Sequence, residues 1–395
     1  MKPSRRVIGA EHIRDARRRQ RKHVEVMPGD IVTPEARDQA ERLGIALRDG
    51  PLPRPQPEVT DGATSLRRAL WRRSPRWIAP SARRARQPRR FGRIAFVGVG
   101  GVGSHAAHLC AMADMAEEIV LIDITPGLAE AFALDIAHAS GITRSRCRIR
   151  GGQSLAMVEG ADVVLVTAGR PRAPGMTRAD LIEVNRRVIH ATAAAIADHA
   201  PQAVVVVVTN PLDEMTYEML QATGFPRNRV LGMAGTLDSS RFRHALARAA
   251  VVDPGDVEAL TLGSHGEEMA PIPSASTIKG RPLSAFLSPD QIAACVRDAI
   301  TGGGQVVALK RTGSAVIAPA HASVEVMDHL RGARSGAVPV SVMLMGEFGL
   351  DGVVLGVPGH LGEGGLIEVA EISLTDAERA SLHAAAEAIR TRLAS

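Results

Sequence analysis

The sequence predicts an α/β protein: a Rossmann-type doubly wound parallel sheet, then a mixed α+β substrate domain, with a small basic N-terminal module and linker in front. Three observations carry this. Arg93-Ile-Ala-Phe-Val-Gly-Val-Gly-Gly-Val-Gly103 reads as a short buried strand, then glycines at 98, 100 and 103, then an Ala-rich helical run over 104–115. That is G-x-G-x-x-G in the strand–turn–helix context that gives it meaning. Residues 162–167, Asp-Val-Val-Leu-Val-Thr, and 203–208 carry continuous apolar runs of strand length, as parallel strands covered on both faces require. Helical stretches over 127–140 and 178–199 alternate with them, the pattern of a doubly wound sheet.

Each glycine has its own task. Gly98 allows the turn, Gly100 lets a pyrophosphate approach the backbone, and Gly103 lets the helix pack closely on the strand. The helix N-terminus adds unpaired N–H groups and partial positive charge for phosphates. A second strand over 118–123 ends in Asp123, twenty residues beyond Gly103, where an acceptor for a ribose diol belongs. A carboxylate there repels a 2′-phosphate, so the expected cofactor is NAD in preference to NADP.

At 395 residues the chain exceeds one average domain. Hydrophobic residues make up 45% and aromatics only 3%, so the core is built mainly of Val, Leu, Ile and Ala. Cys110, Cys147 and Cys295 are far apart, without metal-type spacing, and read as reduced thiols; no metal site is expected. No apolar run approaches the roughly 20 residues of a membrane span, and Met1-Lys-Pro-Ser-Arg-Arg-Val lacks the apolar segment of a secretory signal. These features point to a cytoplasmic protein. The formal charge of +6 is uneven: residues 1–92 carry +13 and residues 93–395 carry −7. A basic leader on an acidic body suggests a separate interaction role for the leader.

In chain order, residues 1–50 form a small module. Helical composition over 11–22 is followed by an alternating strand over 23–27 and a Pro28-Gly-Asp turn. Thr33 is a good N-cap for a helix over 34–43, with Pro34 at its first position and Gly44 at its stop. A short strand follows over 45–47. Residues 51–91 are a Pro/Arg-rich linker. Its prolines at 51, 53, 55 and 57 favour extended chain, and Leu66-Arg-Arg-Ala-Leu-Trp-Arg-Arg forms a short basic helix. The dinucleotide-binding domain is expected over 92–236 and the substrate domain over 237–395. The latter reads as a helix over 238–250, a strand over 257–262, a helix over 288–310, strands over 338–345 and 353–357, and a closing helix over 376–393. The sequence displays no internal repeat.

Four later stretches place charge where loops should be. Thr167-Ala-Gly-Arg-Pro-Arg-Ala-Pro-Gly-Met-Thr-Arg178 follows a strand end, where ligands of open α/β sheets bind; its prolines and glycines suit a hinged lid, and its arginines an anion. Asn210 ends the next strand in Thr-Asn-Pro. Asp238 and Arg241, three apart, share a helix face and on their own read as a helical salt bridge. His265 stands between glycines in Leu-Gly-Ser-His-Gly, in a loop and off any amphipathic face.

Together with Met345-Gly-Glu-Phe-Gly-Leu and Val357-Pro-Gly-His-Leu-Gly, these stretches resemble the lactate/malate dehydrogenase family from about residue 92 to 395. The resemblance implies an NAD-dependent 2-hydroxy acid oxidoreductase, with reversible hydride transfer between (S)-malate and NAD+. It makes His265 the proton acceptor, Asp238 its orienting carboxylate and Arg241 the clamp on the C1 carboxylate. Arg178 polarises the C2 oxygen, and Asn210 bonds near it. Asn185 and Asn210 face the cofactor. Arg172 occupies the lid position that selects the substrate, where malate enzymes carry arginine and lactate enzymes glutamine. Gly313-Ser314 fits the lactate-dehydrogenase-like branch of the malate enzymes. Glu267 stands where the family usually has aspartate.

Residues 26–45 resemble a segment carried by enzymes of bacterial microcompartments, which implies a shell or cargo partner. The other expected partners are a small dicarboxylate substrate and further copies of the chain in a dimer or tetramer. Three rival readings remain: a dehydrogenase for lactate or another 2-hydroxy acid, a non-catalytic targeting or scaffold protein, and nucleic-acid binding by the leader, which would show steep salt dependence.

Overall fold

Two units, Met1–Ala69 and Leu70–Ser395, divide the chain. The structure is a computed structural model and describes residues 6–19, 21–26, 30–49, 88–170, 178–266, 268–311 and 313–394. The expected polyproline run, the basic helix at 66–73 and Arg172 lie outside the described residues.

The N-terminal unit comprises β1 (Val7–Ile8), α1 (Ala10–Arg18), β2 (His23–Val26), β3 (Ile31–Val32), α2 (Pro34–Leu43) and β4 (Ala46–Asp49). Thr33 caps α2 as expected, its hydroxyl accepting the Ala36 N–H at 3.2 Å, and Gly44 ends the helix at φ 65°. Strand β1 pairs parallel with β3, and β2 with β4. The unit is therefore two βαβ halves of the same element order, a structural repetition the residues do not display. Ile8, Ile13, Ala16, Ala36, Ala40 and Ile45 form its core. Strands β1 and β3 have two residues each, too short to leave a period-2 pattern in the sequence.

In the body, β5 (Phe91–Val97), α3 (Gly101–Met112), β6 (Ala116–Ile122), α4 (Leu128–Thr143), β7 (Arg148–Gly152) and β8 (Val163–Val166) alternate. They are followed by α5 (Arg178–His199), β9 (Val204–Val207), α6 (Leu212–Thr223), β10 (Val230–Gly232) and α7 (Gly235–Ala250). The six strands are parallel and lie in the order β7-β6-β5-β8-β9-β10. Succession reverses between β5 and β8, so a crevice opens at their C-terminal ends. Val204–Val207 is fully buried, which is why that strand reads as unbroken valine.

The expected strand over 257–262 divides. Its first part, β11 (Val257–Glu258), joins a small sheet with β14 (Thr277–Ile278) and β15 (Arg281–Pro282). Its second part, β12 (Thr261–Gly263), pairs with β13 (Met269–Pro271) and belongs to the large sheet. Two helices follow, α8 (Pro289–Lys310) and α9 (Ile317–Leu330), then β16 (Ala337–Met345), β17 (Asp351–Gly362), β18 (Gly365–Val369) and α10 (Asp376–Ala394). Helix α9 carries no clear period in the sequence and was not expected. Strand β10 pairs antiparallel with β16 through Gly232 and Ser341, so one 11-stranded sheet runs across the expected 236/237 division. A single apolar cluster likewise extends from Phe91 to Ile389.

By length and composition one described helix, α8, is apolar enough to cross a membrane. Arg297 and Asp298 interrupt it, Asp298 pairs with Arg248 at 2.7 Å, and Cys295 and Ala299 pack with Phe242 and Leu246 of α7.

Candidate active site

At the first βα turn the backbone geometry decides the residues. Gly98 has φ 93°, and a Cβ there would lie 2.4 Å from the Ala168 nitrogen. At Gly103 a Cβ would lie 2.0 Å from the Gly98 oxygen, so only glycine lets α3 approach β5 this closely. Beside Gly100 there is open space. Helix α3 starts at Gly101, earlier than the sequence suggests, because two of the glycines belong to its first turn.

Asp123 ends β6. Its carboxylate accepts the N–H of Val99 at 2.8 Å and of Thr125 at 2.9 Å. Partial burial pushes its pKa up, but these backbone hydrogen bonds outweigh that and hold it below the ordinary carboxylate value. The acid therefore ties the glycine loop to β6 and remains ionised.

One cleft of about 1340 Å³ is shared by Gly100, Arg170, Asn210, Arg241, His265 and Gly303. Asn210 reaches it from the end of β9, before a cis peptide bond to Pro211. Asp238 and Arg241 come from the first turns of α7, and His265 from the exit of β12. Asp238 is 2% exposed, so its charge must be paired. One of its oxygens accepts from Arg241 Nη1 at 2.8 Å, and the other faces His265 Nδ1 at 2.9 Å. The helical salt bridge and the His–Asp pair are thus both present, on one carboxylate. A carboxylate can only accept, so Nδ1 carries the proton and Nε2 is the nitrogen left for a ligand. Burial works against protonating His265. Asp238 outweighs it, with Arg241 opposing, and the pKa lies above the ordinary imidazole value.

Gly303 adds shape. A Cβ there would stand 3.2 Å from the Arg241 guanidinium, so the bare backbone of α8 leaves that group its room.

Asn185 stands behind the cleft and not against it. It is fully buried. Its amide accepts the Arg170 N–H at 2.8 Å and donates to the oxygens of Arg170 at 3.2 Å and Asn210 at 2.6 Å. It holds two strand-end loops together at the edge of the cleft. Arg178 begins α5, but its side chain, like the whole of Arg172 and Glu267, lies outside what is described.

Sequence reasoning missed the groups behind His265. Asp213, on the first turn of α6, accepts the His265 backbone N–H at 2.8 Å and the Ser341 hydroxyl at 2.7 Å. Arg392 on α10 reaches Ser264, Glu214 and Glu268. The one available signal was Asp213-Glu214 in an otherwise apolar helix start.

A dinucleotide cradle at one end of a cleft and an imidazole–carboxylate pair at the other define the class, a nicotinamide-dependent oxidoreductase. Family models for the lactate/malate dehydrogenase NAD binding domain and alpha/beta C-terminal domain match residues 92–232 and 235–395. The chain belongs to the lactate/malate dehydrogenase family. It is 41% identical over 276 residues to a malate dehydrogenase of Nostoc punctiforme, covering 70% of this chain and 84% of that one. A solved malate dehydrogenase of Cryptosporidium parvum superposes with TM-score 0.74 at 36% identity, over 78% of this chain and 98% of that one. A lactate dehydrogenase of the same organism, with lactic acid and nicotinamide adenine dinucleotide, gives TM-score 0.74 at 32% identity, with 78% and 98% covered. The backbone alone therefore does not separate the two activities.

Proposed function

We propose that the body is an NAD-dependent malate dehydrogenase, interconverting (S)-malate and oxaloacetate. The observation that carries this is the His265–Asp238–Arg241 set facing the glycine-loop cleft, in a chain 41% identical to malate dehydrogenases. The residues fit the cofactor. Open space beside Gly100 admits a pyrophosphate, and each Asp123 oxygen, already holding one N–H, has a lone pair left for a ribose hydroxyl. NAD supplies the hydride acceptor.

As malate is oxidised, neutral His265 takes the C2 hydroxyl proton on Nε2; bound NAD would accept the hydride that leaves C2. Asp238 stabilises the imidazolium that forms. In the reverse direction the imidazolium returns that proton to the oxaloacetate oxygen. Arg241 grips the C1 carboxylate, Arg178 polarises the C2 oxygen and Asn210 bonds near it. Arg172 pairs with the distal carboxylate under the lid, where a methyl group would leave its charge desolvated and alone. A screen of oxaloacetate, pyruvate and longer 2-oxo acids with NADH and NADPH tests the assignment. Fastest turnover of oxaloacetate with NADH is expected, and preference for pyruvate would transfer the chain to the lactate enzymes.

The chain also acts as an oligomer in this reading. Ile124, Leu134 and Ile142, on or beside α4, are 86%, 58% and 87% exposed, a cost that a second copy would remove. The N-terminal unit localises the enzyme and contributes no chemistry, since every proposed site residue lies beyond it; a microcompartment shell is the partner its sequence suggests. A chain beginning near Phe91 should keep its turnover number within about twofold, the scale expected of surface changes. Loss of activity in a folded truncated protein would end the tether idea.

A further inference from the structure

His265 is fixed at its ring by Asp238, but a ring is only as well placed as the loop that bears it. That loop joins β12 to β13, and its residues 264, 265 and 268 are held from behind by two charged groups the reaction does not use. The His265 backbone N–H donates to Asp213 at 2.8 Å, and the other Asp213 oxygen accepts from Ser341 at 2.7 Å. Arg392, on the last turns of α10, donates to Ser264 Oγ at 3.2 Å and to Glu268 at 3.0 Å, one contact on each side of His265. Its Nε meets Glu214, which is 1% exposed. Asp213 and Glu214 follow Asn210 and Pro211 with only Leu212 between, so one helix end presents Asn210 to the cleft and anchors the histidine loop.

We infer that Asp213 and Arg392 are positioning residues that set the His265 loop against the substrate. The inference rests on the reading of His265 as the proton acceptor. A buried ion pair is weak evidence for stability, since apolar side chains of similar volume serve the core as well. What an arginine provides is direction: its planar fork fixes several acceptors at once. Here those acceptors flank the one residue whose placement decides the rate. Burial, with Glu214 beside it, pushes Asp213 up to about 6 against the pull of its hydrogen bonds. A carboxyl kept in so unfavourable a place makes a geometric demand. Helix α10 thereby becomes part of the catalytic apparatus without touching the cleft.

The test compares full-length variants by kcat, KM for NADH and the deuterium isotope effect on kcat with 4-deuterated NADH. Arg392→Gln alone would strand the Glu214 charge, so it is combined with Glu214→Gln. This folded double variant should lose about 10- to 100-fold in kcat, the scale of a misplaced reacting group. KM for NADH should stay near the parent's and the isotope effect should rise, because the chemical step becomes limiting. Arg392→Lys should recover part of the loss. Asp213→Asn, which keeps an oxygen for the His265 N–H and offers an amide to Ser341, should remain closer to the parent than Asp213→Ala. If the double variant fails to fold, Glu268→Ala, on the more exposed side of the arginine, decides by the same readouts. Parental kcat and isotope effect in the deciding variant would overturn the inference. His265→Asn separates the two ideas: if it keeps kcat, the reading of the base fails; if it loses kcat while the Arg392 and Glu268 variants do not, only the positioning role fails.

Discussion

The two ends of the cleft are built on different principles. At the cofactor end the important groups are backbone, held within residues 98–104 and tied down by Asp123. At the proton-transfer end they are side chains from four separated segments, around residues 210–214, 238–241, 264–268 and 392. A backbone cradle is set by sterics and tolerates nothing larger than hydrogen at two positions. A side-chain constellation is set by paired charges in low dielectric, where each group depends on a partner from another segment. Damage at the first end should appear in cofactor binding and at the second in turnover.

The largest expected effect sharpens the second half of that contrast. On the proposed pairing of Arg172 with the distal carboxylate, Arg172→Gln would remove a charge-assisted contact and leave that carboxylate unpaired. Such polar sites discriminate by roughly 10⁴–10⁵ in kcat/KM, so a loss on the order of 10³ or more is expected for oxaloacetate, with pyruvate used better than by the parent. A variant with the parental preference would move the specificity role to another residue, Arg170 first.

Asp238→Asn comes next. It should lower kcat by about 10²–10⁴, the range for a disabled general base, and leave the KM for NADH nearly unchanged. It should also change the pH profile. In the parent, malate oxidation needs neutral His265 and rises as pH climbs through the raised imidazole value; oxaloacetate reduction falls over the same window. With Asp238 neutralised that limb should move to lower pH. Stability follows the same sign. A raised imidazole pKa contributes fully below the unfolded value near 6.5 and is lost as pH rises through the folded one, so thermal melts should show the paired histidine helping most in mild acid.

Two smaller effects probe the other end. Gly103→Ala forces a Cβ against the Gly98 oxygen, an overpacking that costs about 1–3 kcal/mol. The melting temperature should drop and the KM for NADH rise, with little change in kcat for the protein that remains folded. A kcat collapse at saturating NADH would break the contrast between the ends. Smallest is Asp123→Ser, which removes the carboxylate facing a 2′-phosphate and should narrow the NADH-over-NADPH preference by roughly tenfold, the size of one such polar contact. Equal use of both cofactors by the parent would show that Asp123 does not select.

Much of this was open to reading along the chain. The glycine positions follow from steric demands inside one turn, and Val204–Val207 is apolar throughout because both faces of a central parallel strand are covered. Thr33, Pro34 and Gly44 mark both ends of α2 for reasons local to each residue. The family motifs also singled out His265, Asp238 and Arg241, which the fold brings within hydrogen-bonding distance around one carboxylate.

Other features had no local cause to read. Asn185 looks like any polar helix residue until the fold buries it between the Arg170 and Asn210 loops. Whether residues 257–262 make one strand or two depends on which sheets lie beside them, and β10 meets β16 across more than 100 residues of chain. Arg392 lies 128 residues from Ser264 and 178 from Glu214 in sequence, and no spacing rule connects them. The sequence alone determined the long periodic elements and the cofactor cradle, because backbone sterics and periodicity act over a few residues. Only the tertiary structure decided which charges share a buried volume, because desolvation makes distant side chains choose one another after the chain has folded.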